Sequence, residues 1–135
     1  MIIKSYELKK IDPKKNNFVL FFGKNEGLKN EALDILIKDK KTILSYEEKE
    51  ILDNENNFVE NILSKSLFEE EKFIVIKRAT DKILKVIEIL HLKNIEDTTI
   101  ILNADNLEKK SKIRSFFEKE KKLVSDAFDP DNDQT

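Results

Sequence analysis

Apolar residues along the chain alternate between short continuous runs and segments with helical spacing. Phe18–Phe22 and Phe73–Ile76 are unbroken apolar runs, which is typical of strands that are covered on both faces. Between the runs, apolar side chains recur three or four residues apart, which indicates helices with one buried face. The pattern predicts strands at residues 18–22, 42–46, 73–76, 98–102 and 123–125.

The helical segments lie between these strands. A helix over residues 26–38 is indicated by apolar residues at helical spacing: Leu28, Ala32, Ile35 and Leu36. The other helices are predicted around residues 58–63, 83–90 and 107–117, and the acidic segment 47–55 is predicted to be a loop. Strands that alternate with helices imply right-handed crossovers. We therefore expect an α/β fold with three layers, in which a five-stranded parallel sheet carries helices on both faces.

The composition limits the classes of function. The chain has 135 residues, of which 39% are charged and 39% hydrophobic, and its net charge is −2. It has no cysteine and a single histidine, His91, which excludes disulfides, thiolate metal sites and a His-rich metal centre. No apolar run approaches the ~20 residues that span a bilayer, so we expect one soluble domain with no membrane partner. The acidic balance also predicts weak binding of this chain alone to duplex DNA.

The turn after the first predicted strand resembles a phosphate-binding loop that lacks two of its parts. Ligands of parallel α/β sheets bind at the carboxyl ends of the strands, and a functional loop there needs G-x-x-x-x-G-K-S/T. Counted from Gly23, Lys29 takes the place of the motif's lysine, but Leu28 replaces the second glycine. Asn30 replaces the hydroxyl that binds magnesium. We therefore expect a plain strand-to-helix turn without cofactor or metal; the alternative is a nucleotide-binding domain or NTPase with an aberrant phosphate loop.

The ends of the other strands lack residues suited to catalysis. Lys77 and Arg78 follow the third strand, where an NTPase needs an acidic residue to hold magnesium. Asn103 follows the fourth strand and, without a phosphate loop, is expected to cap a turn. His91 ends a helix between two leucines and is expected to be structural. No catalytic residue is predicted, and the chain is not expected to be an enzyme on its own.

Leu67 and Phe68 form a large apolar pair outside the predicted elements. They follow Ser66, between the helix around residues 58–63 and the strand at 73–76, and four charged residues come directly after them. A loop normally carries polar side chains because it faces water. The pair is therefore either folded into the core or exposed for a partner, and loop chemistry alone favours the core.

Three segments together resemble the family of delta subunits of bacterial DNA polymerase III. They are Phe18–Glu26, Ser66–Ile76, and Thr99–Asp105 with the nearby Lys110-Ser111-Lys112, in the family's order and spacing over about residues 16 to 127. The resemblance implies an AAA+/RecA-like N-terminal domain over residues 1–127 that has lost ATP hydrolysis. It also implies that residues 128–135 are a polar tail, or a linker to a lid domain that this chain does not contain.

The same resemblance implies a cytoplasmic protein with a function in DNA replication. Delta subunits belong to the clamp loader, where they bind the sliding clamp (the beta subunit) and open its ring while other subunits use ATP. Ser66, Leu67 and Phe68 match the family's clamp-contacting residues, and the apolar pair enters a pocket on the clamp. Clamp-binding peptides often have glutamine five residues before the phenylalanine, where this chain has Leu63. The resemblance makes exposure of Leu67 and Phe68 the favoured interpretation.

Further partners are also implied by the resemblance. Other clamp-loader subunits are expected to bind through C-terminal domains that are missing from this chain. Primed DNA is expected as a partner only within the assembly. The basic residues that could contact it there are Lys109, Lys110, Lys112 and Arg114.

Overall fold

The sheet of this protein is entirely parallel. A computed structural model describes residues 1–2, 11, 17–38, 42–64, 72–93, 95, 98–120 and 123–128. Within these residues, five strands form one sheet: Phe18–Phe22 (β1), Thr42–Glu47 (β2), Lys72–Ala79 (β3), Thr98–Ala104 (β4) and Leu123–Ala127 (β5). Their order across the sheet is β2-β3-β4-β1-β5, and all neighbours pair in parallel. The predicted parallel α/β sheet is therefore confirmed, and all its predicted strands are present.

Helices connect the strands. Among the described residues they are Glu26–Ile37 (α1), Glu48–Leu52 (α2), Glu55–Leu63 (α3), Leu84–Leu92 (α4) and Lys112–Lys119 (α5). A short 3-10 helix, Asp81–Ile83, leads into α4. None of the helices in the described part of the chain combines the length and hydrophobicity that crossing a bilayer requires.

The sheet separates two apolar layers. On one face, Val19 and Phe21 of β1 pack with Ala32 and Leu36 of α1. On the other face, Leu20 packs in a larger cluster that receives side chains from α2, α3, α4 and α5. Every residue of β1 is at most 3% exposed, because both of its faces are covered. The prediction of helices on both faces is confirmed.

The expectation that residues 47–55 form a loop is wrong. Glu48–Leu52 is a short helix, and a capping box begins it: the Glu47 N–H donates to the Glu50 carboxylate at 2.8 Å. Ile51 is buried in the core. The carboxylate of Glu48 accepts hydrogen bonds from the N–H and hydroxyl of Thr80, at 2.6 and 2.8 Å, and so attaches α2 to the segment after β3. So short a helix contains too few apolar residues for its period to appear in the sequence.

The buried face of α1 also differs from the prediction. Ala32 and Leu36 are buried as expected, but Leu28 and Ile35 are 37% and 46% exposed. The third buried residue of the helix is Lys29, which an apolar pattern does not select. Such a charged side chain can be buried because it has partners, which are the Ala104 carbonyl and the Glu26 carboxylate.

The core continues past β5 into the predicted tail. Phe128, the first residue of that tail, is 1% exposed, and its ring meets that of Phe21 edge-on at 5.3 Å between centroids. Its N–H donates to the Phe22 carbonyl at 2.6 Å. The remainder of the predicted tail, residues 129–135, lies outside the described residues.

Candidate functional site

The carboxyl ends of the strands meet at one edge of the sheet, where ligands of parallel α/β folds bind. A cavity of about 650 Å³ opens at this edge, beside α1 and the ends of β3 and β4. Charged residues from α1 and from the ends of β2, β3 and β4 line it: Glu26, Lys29, Glu47, Lys77, Arg78 and Asp105. The candidate site consists of this cavity and the β1–α1 turn next to it.

The main chain of the β1–α1 turn is hydrogen-bonded within the protein. The N–H of Gly23 donates to the Asp105 carbonyl at 3.1 Å, and that of Asn25 to the Phe128 carbonyl at 3.1 Å. The Asn25 side chain caps α1 by accepting from the N–H of Leu28 at 3.1 Å. A phosphate-binding turn uses such N–H groups to hold its ligand. In this turn the N–H groups of Gly23 and Asn25 are bonded to carbonyl oxygens of the protein instead.

Gly23 is required by a close approach of the chain to itself. Its φ is +120°, and a Cβ at this position would lie 2.0 Å from the carbonyl oxygen of Phe128. Glycine in a phosphate loop allows the ligand to come near the backbone. Here the same freedom allows the residue after β5 to pack onto the turn.

Lys29, at the place of the motif's lysine, is turned inward. Its side chain is 1% exposed, and its Nζ donates to the Ala104 carbonyl at the end of β4 at 2.8 Å. The same atom forms an ion pair with the Glu26 carboxylate at 2.7 Å. Asn30 is exposed beside it. The charge of the lysine that a nucleotide phosphate would need is therefore already paired with a carboxylate of the same chain.

The end of β3 carries a bulge that sequence reasoning does not find. The pairing of β3 with β4 shifts between Lys77 and Ala79, and the intervening Arg78 has φ +56°. Both basic side chains are exposed, and the Nε of Arg78 lies 3.4 Å from a carboxylate oxygen of Glu47. No glycine marks this left-handed position in the sequence. The strand end thus presents two cations, where an NTPase needs an acidic residue to hold magnesium.

The expectation that Asn103 caps a turn is wrong. Asn103 lies within β4, opposite Phe21 of β1 and Lys77 of β3, and it lines the cavity. The strand continues past the apolar run that predicted it, because Ala104 still pairs with β3. Asn103 therefore presents its side chain from the sheet at the cavity wall.

Asp81 joins two loops of the sheet edge, and the sequence does not predict this contact. Its carboxylate accepts from the Ser111 hydroxyl at 2.6 Å and from the Ile113 N–H at 3.1 Å, so it caps the start of α5 from outside. Burial acts to raise the pKa of Asp81, but these hydrogen bonds, a further one from the Lys112 N–H and the Lys112 charge outweigh it and lower the pKa. The partners lie 30 residues apart, beyond the range of local patterns.

Arg114 differs from the three nearby lysines in its contacts. Its guanidinium donates to the Glu118 carboxylate at 3.0 Å and to the Leu107 carbonyl at 2.8 Å. The same group lies 4.8 Å from the centre of the Phe22 ring. In this structure Arg114 is therefore held by the protein, whereas three lysines near the start of α5 are exposed: Lys109, Lys110 and Lys112.

His91 lies among aromatic rings away from the cavity. Its ring meets those of Phe18 and Phe116 edge-on, at 5.9 and 5.7 Å between centroids. Its Nε2 is 3.2 Å from the Glu120 carboxylate, which connects the end of α4 with the end of α5. The described residues contain no group of three or more His, Asp or Glu side chains placed to hold a metal ion.

The predicted clamp-contacting residues Ser66, Leu67 and Phe68 lie outside the described residues. The elements on either side of them are described. In α3, Phe58 and Ile62 are 6% and 8% exposed, and the apolar residues of β3 are at most 3% exposed. The helix and the strand that flank the segment thus already contribute their apolar faces to the core.

The sequence comparisons identify no relative. No protein-family model matches this chain, and no curated protein matches it significantly. Function is therefore inferred from the residues and their geometry.

Proposed function

We propose that this protein is a clamp-loader subunit that does not hydrolyse ATP, and that it binds and opens the DNA sliding clamp during replication. The observation that carries the proposal is the pairing of Lys29 with Glu26 and the Ala104 carbonyl, at 2.7 and 2.8 Å. The resemblance to delta subunits implies an AAA+-like domain that has lost ATP hydrolysis. A parallel α/β domain in which the loop's lysine is paired with a carboxylate of the same chain agrees with this. ATP would then be hydrolysed by other subunits of the assembly.

The contact with the clamp is assigned to Leu67 and Phe68, preceded by Ser66. Each large apolar side chain that enters a pocket contributes about 1.5–3 kcal/mol, which suits a small hot spot. Two such residues are too few to force a closed ring apart. Because a ligand shifts an equilibrium only by its differential affinity for the two states, the subunit would select or trap an opened clamp.

The remaining partners follow from the same proposal. Other clamp-loader subunits would bind through domains C-terminal to this one. The net charge of −2 is unsuited to holding DNA by a broad field, so primed DNA would be contacted within the assembly. The exposed lysines Lys109, Lys110 and Lys112 are the residues suited to that contact.

Surface plasmon resonance with the sliding clamp of the same organism tests the proposal. The chain should bind the immobilised clamp, and the double variant Leu67→Ala/Phe68→Ala should not. Leu92→Ala is the matched control, since Leu92 is 81% exposed at the end of α4 and should leave binding unchanged. An unmodified chain that fails to bind the clamp would contradict the proposal.

The second candidate is a nucleotide-binding domain with an aberrant phosphate loop. The cavity favours it, because about 650 Å³ suits a small ligand and the lining includes Lys77, Arg78 and Asn103. Two ion pairs oppose this candidate, because Glu26 pairs with Lys29 and Glu47 with Arg78 in the same cavity. These cations are then not free to hold a phosphate. A melting temperature that rises with Mg-ATP would favour this candidate, since any ligand that binds only the native state must stabilise it.

A further inference from the structure

The two partners of the Glu26–Lys29 ion pair differ greatly in exposure. The side chain of Lys29 is 1% exposed, whereas that of Glu26 is 65% exposed. Glu26 stands in the first turn of α1, where the helix dipole favours a negative charge. The carboxylate therefore reaches a buried cation from the solvent side, as a bound anion would.

We propose that Glu26 is an internal substitute for a phosphoryl ligand on Lys29. A buried ammonium group needs a counter-charge and hydrogen-bond acceptors. The Ala104 carbonyl supplies one neutral acceptor at 2.8 Å, and among the described residues Glu26 supplies the anion. This inference adds to the proposal that the chain does not hydrolyse ATP. It concerns the β1–α1 turn alone and does not depend on clamp binding.

Removal of the Glu26 charge should convert the turn into an anion site. Lys29 would remain buried without its counter-charge, next to a cavity of about 650 Å³ that Lys77 and Arg78 also line. The N–H groups of Gly23 and Asn25 are already bonded to carbonyl oxygens, so they offer no additional cradle. The site would therefore take a small anion such as inorganic phosphate, held by the cation rather than by the loop backbone.

Thermal melts of the 135-residue chain in phosphate test this inference. The unmodified chain and Glu26→Gln are compared over a phosphate series in which chloride keeps the ionic strength constant. The melting temperature of Glu26→Gln should lie below that of the unmodified chain and rise toward it as phosphate is added. The unmodified chain should show only the general stabilisation that phosphate gives by exclusion from protein surfaces. Phosphorus NMR should show line broadening of phosphate by Glu26→Gln and not by the unmodified chain.

Two controls assign the effect to the buried cation. Glu26→Gln combined with Lys29→Met should lose the additional response to phosphate. Glu108→Gln removes one partner of an exposed ion pair, at 3.4 Å from Lys110, and should respond as the unmodified chain does.

Three results would overturn the inference. The first is a phosphate response of Glu26→Gln no larger than that of the unmodified chain. The second is a response that survives Lys29→Met. The third is a Glu26→Gln chain that stays unfolded even in phosphate, because phosphate would then not replace the carboxylate. Since no clamp is present in these measurements, their failure is distinguishable from a failure of the proposed function.

Discussion

Gly23 lies directly against the backbone of Phe128, at a distance that leaves no room for a side chain. A Cβ on Gly23 would stand 2.0 Å from the Phe128 carbonyl oxygen, and that oxygen accepts the Asn25 N–H at 3.1 Å. The residue after β5 thus makes the close approach to glycine that a phosphate makes in a functional loop. This contact requires glycine at position 23, whether or not the turn binds a phosphate.

Gly23→Ala should destabilise the protein by more than about 3 kcal/mol, because a positive φ and a clash with main-chain atoms act together. Urea unfolding measures the change in the free energy of unfolding. Gly27→Ala is the matched control within α1, where the nearest atom to a new Cβ is the Asn25 Oδ1 at 3.7 Å. That variant should be stabilised by up to about 1 kcal/mol through helix propensity. Equal stability of the two variants would contradict the packing of Phe128 on the turn.

Arg114→Ala should lower the free energy of unfolding by about 1–3 kcal/mol. The substitution removes a hydrogen bond to the Leu107 carbonyl, an ion pair with Glu118 and a cation–π contact with Phe22. Lys110→Ala serves as the control. Its side chain is 87% exposed, so its removal should change stability by less than about 0.5 kcal/mol. Denaturant unfolding of both variants gives the comparison. If Arg114→Ala were as stable as Lys110→Ala, Arg114 would belong with the solvent-facing lysines after all.

The contact of Asp81 with the start of α5 predicts an acid-sensitive part of the stability. The pKa of Asp81 lies below its ordinary value of 3.8 in the folded chain. The folded state therefore binds this proton less readily than the unfolded state, and the group stabilises the fold above pH 3.8. That contribution is lost as the pH falls below 3.8 toward the folded pKa.

Asp81→Asn should remove this contribution. At neutral pH it should be less stable by about 0.5–2 kcal/mol, the range for a lost helix cap. Its stability should then fall less steeply than that of the unmodified chain at acid pH, below about 4. Urea unfolding over a pH series measures both curves. Curves that stay parallel through the acid range would show that Asp81 does not carry the effect.

Millimolar Mg-ATP should give no binding heat and no hydrolysis. The N–H groups of Gly23 and Asn25 are bonded to carbonyl oxygens, and the Lys29 cation is paired with Glu26. Isothermal titration calorimetry and a phosphate-release assay test the two parts. Turnover that disappears in Lys29→Ala would contradict this prediction and favour the nucleotide-binding alternative.

The pattern of apolar residues predicts the central strands β1, β3 and β4 because burial on both faces leaves a direct mark on the sequence. A strand covered on both faces, such as Phe18–Phe22, has no position for a polar side chain. Helix α2 leaves no such mark. It depends on the hydrogen bonds of Glu48 to Thr80, which is 32 residues away, and on a capping box within an acidic segment.

Sequence reasoning finds the motif positions of the candidate site but not its contacts, because those contacts join residues far apart in the chain. Motif spacing identifies Lys29 as the loop's lysine and Leu28 as the departure from the pattern. Spacing does not reveal that the lysine is buried, because its partner Ala104 lies 75 residues further along the chain. The contact of Phe128 with the turn is missed equally, since it depends on β5 lying beside β1.

Leu67→Ala/Phe68→Ala should leave folding nearly unchanged and abolish clamp binding. The elements on both sides of the pair already contribute to the core, with Phe58 and Ile62 buried in α3 and the apolar residues of β3 buried after it. If the pair is exposed, as the proposed clamp contact requires, its truncation changes stability by less than about 0.5 kcal/mol. Thermal melts measured beside surface plasmon resonance with the clamp give both quantities for the same variant.

The double variant also separates the two interpretations of the pair. If Leu67 and Phe68 were core residues, their truncation would remove buried surface and leave cavities, at a loss of about 2–5 kcal/mol for each residue. The melting temperature would then collapse, and the loss of clamp binding would report only unfolding. If the fold and clamp binding both stayed intact, the pair would not be the clamp site. Only a preserved melting temperature with lost binding assigns Leu67 and Phe68 to the clamp, because no core residue of this size can be truncated without a loss of stability.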